Sequence, residues 1–390
     1  AFPFSTVTGL APPTGVTPSA TVENGSAITP DLFDANRYTP LSQNWNFGIE
    51  RQLTNSLNLE VDYVGVKGER IFRVVDGNPP QPDLVSSLEA FCVPTNPANT
   101  GFATSSGQCS HSTLQTINLW FGKEFGRLPF DAVNNNAFLQ AVLNKSIAKS
   151  IYHGLQVNAT QRLSHGVQIQ GAYTYAHAID DASDPLNPAA GNRTFPRNSF
   201  NLRPERGNSD FDVRQRAVIN FIYQPNLGRG RGRLNSGAVG RVLEGWQVSG
   251  VTAFQGGLPY DIFGNRDSQH TGVSDRATII GSGKGATHTG PALISFKLTP
   301  FDFASNLTRN QFFGPGVNNW NVVLQKDTPI RERLKLELRF EFYNLFNRPQ
   351  FAQPDNLIQD ATFGQSSASV RQPDQTTTAR QIQFGAKLIF

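Results

Sequence analysis

The chain has 390 residues, enough for one large barrel or two to three ordinary domains. Its 34 basic and 30 acidic residues leave a formal charge of +4, too small for this length to argue a nucleic-acid groove, so no nucleic-acid partner is expected. Charged residues make up only 16% while Phe contributes 29, so something other than charge covers the surface. No window approaches the roughly 18 uninterrupted apolar residues of a membrane-spanning helix, which excludes a helical membrane protein and leaves a membrane barrel open. With no Met and no charged-then-apolar leader at Ala1, the chain is expected to be a processed product or an interior fragment.

Residues 1–42 are rich in proline (Pro3, Pro12, Pro13, Pro18, Pro30, Pro40) and read as an extracellular loop or an incomplete upstream segment. From residue 43 onward the dominant signal is strict alternation over about ten residues, the length a tilted strand needs to cross hydrocarbon. Trp45, Phe47 and Ile49 share one face, opposite Asn44, Asn46 and Glu50. Leu57, Leu59, Val61 and Tyr63 then oppose Asn58, Glu60 and Asp62, after the tight turn Thr54 to Ser56. Leu155, Val157 and Ala159 lead through Ser164 to Gly166 into Val167, Ile169, Tyr173 and Tyr175. Ala217, Ile219, Phe221 and Tyr223 alternate against Arg214, Arg216 and Asn220, and Trp246, Val248 and Phe254 mark the next strand. Trp320, Val322 and Leu324 precede Leu334 to Phe342, whose other face reads Lys335, Glu337, Arg339, Glu341. Arg380 to Phe390 closes the series.

This pattern predicts nine strands and no amphipathic helix of comparable length. Short connections alternate with long ones (67–151, 178–212, 255–318, 347–379), as in outer-membrane barrels, whose periplasmic turns are short and extracellular loops long. The fold class is therefore all-β: a portion of an antiparallel up-and-down transmembrane β-barrel with long extracellular loops, in an outer membrane of the Gram-negative type, with lipid as partner. Nine strands begin and end in the same direction and cannot close, so the barrel is expected to be incomplete or to be closed by a strand from the first forty residues. Trp45, Tyr63, Trp246, Trp320 and Tyr343 are candidates for the interfacial aromatic girdles. Charges at Lys335, Glu337, Arg339 and Glu341 would cost several kcal/mol each toward lipid, which assigns them to a luminal charged face.

Other features are weaker. Cys92 and Cys109 lie in a polar stretch and suggest one loop disulfide. GSGKG, residues 281–285, lacks the rest of a phosphate loop, and GRGRGR, residues 228–233, reads as a basic turn. The six histidines form no metal-ligand pair on a helix. Asp180, Asp181 and Asp184 could gather a hard cation, though solvated loop carboxylates are the commoner outcome. No catalytic residue, cofactor or metal site is proposed, and no enzymatic activity is expected.

FGPGVNNWNVVLQKDTPIRERLKLELRFEFYNLFNRPQF, residues 313–351, with RQIQFGAKLIF, residues 380–390, resembles the end of TonB-dependent outer-membrane receptors, especially their Oar-like branch. DVRQRAVINFIYQ, residues 212–224, supports this. The resemblance implies energy-coupled uptake of a scarce or bulky solute, with residues 43–390 as the C-terminal part of the barrel. TonB would act through a plug region that has no counterpart in this chain. Phe384, Ala386, Leu388 and Phe390, apolar at every second position up to a terminal aromatic, look like the signal read by the barrel-assembly machinery. Two other functions compete: a surface or adhesion protein acting through its long loops, and a soluble carbohydrate-binding β-sandwich that would partition into water.

Overall fold

The computed structural model describes residues 31–77, 142–183, 196–227, 237–264, 276–280, 295–297, 307–331, 334–358, 360–369 and 379–390. Among the described residues, fifteen strands occur in the order β1 (Asp31–Phe33), β2 (Leu41–Gln52), β3 (Leu57–Asp76), β4 (Val142–Ser164), β5 (Val167–Asp180), β6 (Gly207–Asn208), β7 (Gln215–Tyr223), β8 (Trp246–Gln255), β9 (Pro259–Tyr260), β10 (Thr278–Ile280), β11 (Ser295–Lys297), β12 (Phe312–Phe313), β13 (Val317–Arg331), β14 (Leu334–Tyr343) and β15 (Gln381–Ile389). One seven-residue helix, α1 (Gly237–Leu243), lies between β7 and β8.

The main sheet follows the path β15-β14-β13-β8-β7-β5-β4-β3-β2, every long strand antiparallel to its neighbour. These are the nine strands that alternation marks. The sandwich reading fails here, because among the described residues the long strands form one sheet and not two stacked ones. β2 and β15 are its edges. The described part of the first forty residues does not close it: β1 pairs in parallel with the outer end of β4.

Register decides which side chains share a face, because a slip of one residue would exchange the two faces. Read across the sheet, Phe47, Tyr63, Leu155, Tyr175 and Gln215 stand in one row, and Ile219, Thr252, Trp320 in another on the same side. Leu324, Phe340 and Phe384 continue that apolar face, with the Phe340 and Phe384 rings edge-to-face at 5.4 Å. The opposite face carries Glu60, Asn158, Gln170 and Asn220, then Gln325, Arg339 and Glu341. Trp45 lies flat over Gly65, directly across the ladder, where any Cβ would collide with the indole.

At the inner end, α1 delivers the chain into Trp246, whose Nε1 donates to the Val242 carbonyl at 2.8 Å. Lys326 bonds the Glu244 carbonyl (2.8 Å) past the helix end, with its ammonium 5.3 Å from the Trp246 ring. Alternation did not announce α1, because a seven-residue helix shows too few turns for its period to register. Tyr343 corrects the girdle expectation. It shares a face with Glu341, to which its hydroxyl donates at 3.1 Å, and so stands on the polar side.

β3 and β4 differ most from expectation. The reading placed a long loop over 67–151, yet β3 runs to Asp76 and β4 starts at Val142. Twenty-three residues span about 75 Å, well past a hydrocarbon layer of about 30 Å, so the hairpin continues into water. A bulge between Gly68 and Ile71, with Arg70 at φ 57°, interrupts the alternation where sequence reading stopped.

The face assignment yields a direct test. Leu324 and Val323 are consecutive, with Leu324 on the apolar face and Val323 opposite Glu341. Leu324→Arg is expected to lower stability in lipid vesicles by about 2–4 kcal/mol, and Val323→Arg by less than about 1 kcal/mol. Denaturant unfolding in vesicles measures both; equal costs would overturn the assignment.

Candidate functional site

The polar face of the sheet carries a charged row on β14. Lys335, Glu337, Arg339 and Glu341 stand on it together, at alternate positions of β14. Lys335 Nζ lies 2.5 Å from Asp327 Oδ2 and Arg339 Nη2 lies 2.9 Å from Glu341 Oε1. Glu337 sits directly between Asp327 on β13 and Lys387 on β15. The charges thus alternate in sign along β14, whereas across the strands Glu337 meets a like charge at Asp327 and an opposite one at Lys387. Both pairs are partly exposed, and such pairs contribute ~0–1 kcal/mol each, so this ladder dresses a wetted wall without holding it together.

Nearer the inner end the wall is acidic. Glu50 and Glu60 are directly opposed across β2 and β3, and two amides attend them: Asn58 donates to Glu50 at 2.6 Å and Asn158 to Glu60 at 3.3 Å. Neutral donors take up part of the repulsion that two facing carboxylates create.

At the outer end the described loops fold into a layer of their own. Tyr260, Ile262, Ala277, Leu307 and Phe312 form a buried apolar cluster, with Ile358 and Phe363 packed against it. β9 and β12, which pair with each other, contribute Tyr260 and Phe312 to it. Beside this cluster runs a chain of buried ions. Glu205, 4% exposed, receives Arg276 Nη2 at 2.7 Å and lies 3.6 Å from Arg197 Nε. Arg276 also reaches Asp261 Oδ2 at 3.0 Å, and the other Asp261 oxygen accepts the Asn310 N–H at 2.6 Å. Arg309 pairs with Asp180 and donates to Ser183, while Asn310 and Asn208 exchange side-chain-to-backbone hydrogen bonds of 2.9 and 2.8 Å. Arg73, from the extended part of β3, donates to the Asp181 carbonyl at 3.0 Å. Six separate stretches of chain meet in this network.

Burial by itself pushes the Glu205 carboxyl up, but Arg276 and Arg197 outweigh it and hold the group below its usual range. Asp181 goes the other way: burial raises it, and the Lys149 N–H and Arg73 recover only part of the shift. Burial also lowers Arg73 and Arg197, against the pull of nearby carboxylates.

Sequence reasoning missed this network, since its members follow no period and are scattered from residue 73 to residue 310. The nearest hint was the acidic run at Asp180, Asp181 and Asp184. The structure corrects the expectation of solvated loop carboxylates: Asp180 is buried against Arg309, an internal cation in place of water or metal. Asp184, Cys92, Cys109, GRGRGR and GSGKG lie outside the described residues. Phe384, Ala386 and Leu388 stand on the apolar face of β15 opposite Phe340, Leu338 and Leu336, and Phe390 follows that strand 94% exposed.

Two predictions follow from the ion chain. Arg276→Met leaves Glu205 and Asp261 buried beside fewer cations, a loss of about 3–5 kcal/mol by analogy with other broken buried pairs. Amide exchange in residues 204–210 and 260–263 should accelerate by about two to three orders of magnitude while β13 and β14 remain protected. Because Glu205 is depressed in the folded state, its contribution is full above the ordinary Glu range and fades as pH falls through its lower folded value. Protease resistance of the outer layer should therefore exceed that of Glu205→Gln at pH 7, and the difference should shrink below about pH 4.

The family model described as "Outer membrane beta barrel domain" matches residues 1–383. No curated protein matches the chain. Solved structures similar to it include the outer membrane transporter YddB from Escherichia coli (9% identity, TM-score 0.39, covering 93% of this chain and 33% of YddB). The pyoverdine outer membrane receptor FpvA from Pseudomonas aeruginosa PAO1 is 14% identical with TM-score 0.36, over 90% of this chain and 30% of FpvA. The FrpB iron transporter from Neisseria meningitidis is 9% identical with TM-score 0.36, over 91% of this chain and 32% of FrpB. The chain thus spans about a third of the length of these proteins. With the match running through almost all of its residues, and a sheet apolar on one face and polar on the other, the chain belongs to the outer-membrane β-barrel family and resides in the outer membrane.

Proposed function

We propose that these residues form part of the wall of a TonB-dependent transporter of the Oar-like branch, taking up a scarce or bulky solute at the expense of inner-membrane energy. The observation that carries the reading is the two-faced sheet: nine register-locked strands with an apolar, aromatic face on one side and a polar face on the other, the arrangement that suits a wall between lipid and an aqueous bore. The end of the chain adds support through its likeness to such receptors. In this reading Lys335, Glu337, Arg339 and Glu341 line the bore, Phe384 to Phe390 present the terminal strand to the barrel-assembly machinery, and TonB acts through a plug belonging to the same receptor. The wall conducts and does no covalent chemistry.

Because the solute is unidentified, the test compares what cells remove from a complex medium. Cells lacking the protein should leave one small group of compounds undepleted, and a protonophore should produce the same deficit in cells that have it. Depletion unaffected by loss of the protein, together with loss of attachment to surfaces or neighbouring cells, would replace transport by the adhesive role.

A further inference from the structure

Under the outer layer, on the polar face of β3, β4, β5 and β7, lies a cavity of about 640 Å³, within the range of small-molecule sites. Its upper wall includes the apolar and aromatic side chains of Ile71, Tyr152 and Phe211 beside the polar Asp180, Ser183 and Ser209; its floor carries Gln156, Thr174 and Arg216. The floor residues come from three strands yet form one row, since Gln156 faces Thr174 and Thr174 faces Arg216 across successive ladders. Direct neighbours of this kind stand about 5 Å apart at Cα, so the three polar groups converge within about 10 Å.

Among the described residues, the charge of this floor has no ion-pair partner. Arg214, two residues earlier, is held by Asp212 at 2.5 Å and by Asn208 at 2.9 Å. Arg216 has no carboxylate partner among the described residues. Among the described residues, two carboxylates neighbour this row, Asp180 in the cavity lining and Asp62 across β3. Asp180 lines the cavity but is bound by Arg309 and Ser183. Asp62 faces Gln156 across β3 and β4, but its oxygen occupies the space over Gly48, on the side away from Arg216. A guanidinium flanked by an amide and a hydroxyl, beneath apolar and aromatic side chains, is matched by an organic anion with an apolar body.

We propose that this cavity binds an amphiphilic organic acid, its carboxylate on Arg216, Thr174 and Gln156 and its aromatic or branched body against Phe211, Tyr152 and Ile71. The proposal rests on the transport reading and names the class of solute the wall would accept. Its test is separable from uptake. The full-length protein, purified from the outer membrane in detergent, is irradiated with 4-benzoylbenzoate, and labelled peptides are mapped by mass spectrometry, with the uncharged methyl ester as control. The acid should label peptides containing Ile71, Tyr152 or Phe211 at least tenfold more than the ester does. Arg216→Gln should remove that preference, Arg216→Lys should retain part of it, and both variants should unfold at the wild-type denaturant midpoint. Equal labelling by acid and ester, or labelling unchanged in Arg216→Gln, overturns the site. Selective labelling without energy-dependent uptake would sink the transport reading and leave the site standing; uptake without selective labelling would do the reverse.

Discussion

Backbone N–H and C=O groups entering hydrocarbon have no water to turn to, and each one left unpaired costs several kcal/mol. That constraint organises the wall. Within the membrane the chain can cross only as strands whose hydrogen bonds pass laterally from neighbour to neighbour, and the path from β2 to β15 pairs each strand with the next. Continuous pairing then fixes register, and register fixes everything else about the surfaces. Side chains alternate strictly, so pairing that satisfies the backbone also sorts nine strands' worth of residues into two faces.

The two faces use different stabilising chemistry. On the lipid side, rings lie over glycines or against other rings: Trp45 over Gly65, Phe221 beside Gly250, Phe340 edge-on to Phe384. Their area is removed from water by lipid as well as by protein, so high exposure at Phe47 (67%) or Phe384 (75%) is what a lipid-facing surface requires. On the polar side, pairs such as Lys335 with Asp327 remain partly exposed and keep that face polar at little energetic consequence.

The outer layer follows other rules. Away from lipid, irregular chain must satisfy its own polar groups, and here it does so with arginines and carboxylates taken out of water together. The desolvation that penalises Glu205 is offset only while Arg276 and Arg197 remain beside it. Such a network tolerates little substitution at any one member and specifies one arrangement of loops drawn from distant parts of the chain. It also roofs the cavity above Arg216, since Asp180, Ser183 and Ser209 belong to both. Loop order and bore shape are therefore one physical problem.

Alternation alone was enough to name all nine membrane strands and their order, because in a meander each strand pairs with its chain neighbour and a period of two survives any choice of residue. It also identified the charged row on β14, since lipid forbids four ionised groups on its side. It stopped at Val66, where Gly68 to Ile71 break the period although pairing continues to Asp76. Tyr343 was assigned by residue type and misplaced, whereas counting parity from Glu341 would have put it on the polar face. The buried ions were beyond reach for a different reason. A pair such as Arg276 with Glu205 is separated by 71 residues and Arg309 with Asp180 by 129, and nothing local distinguishes a carboxylate that will meet an arginine from one that will meet water. Short-range periodicity thus determined the wall, its two faces and its strand order. Only the tertiary fold decided which loop charges neutralise one another and that Arg216 has no carboxylate partner among the described residues, because those outcomes depend on distances that no spacing along the chain encodes.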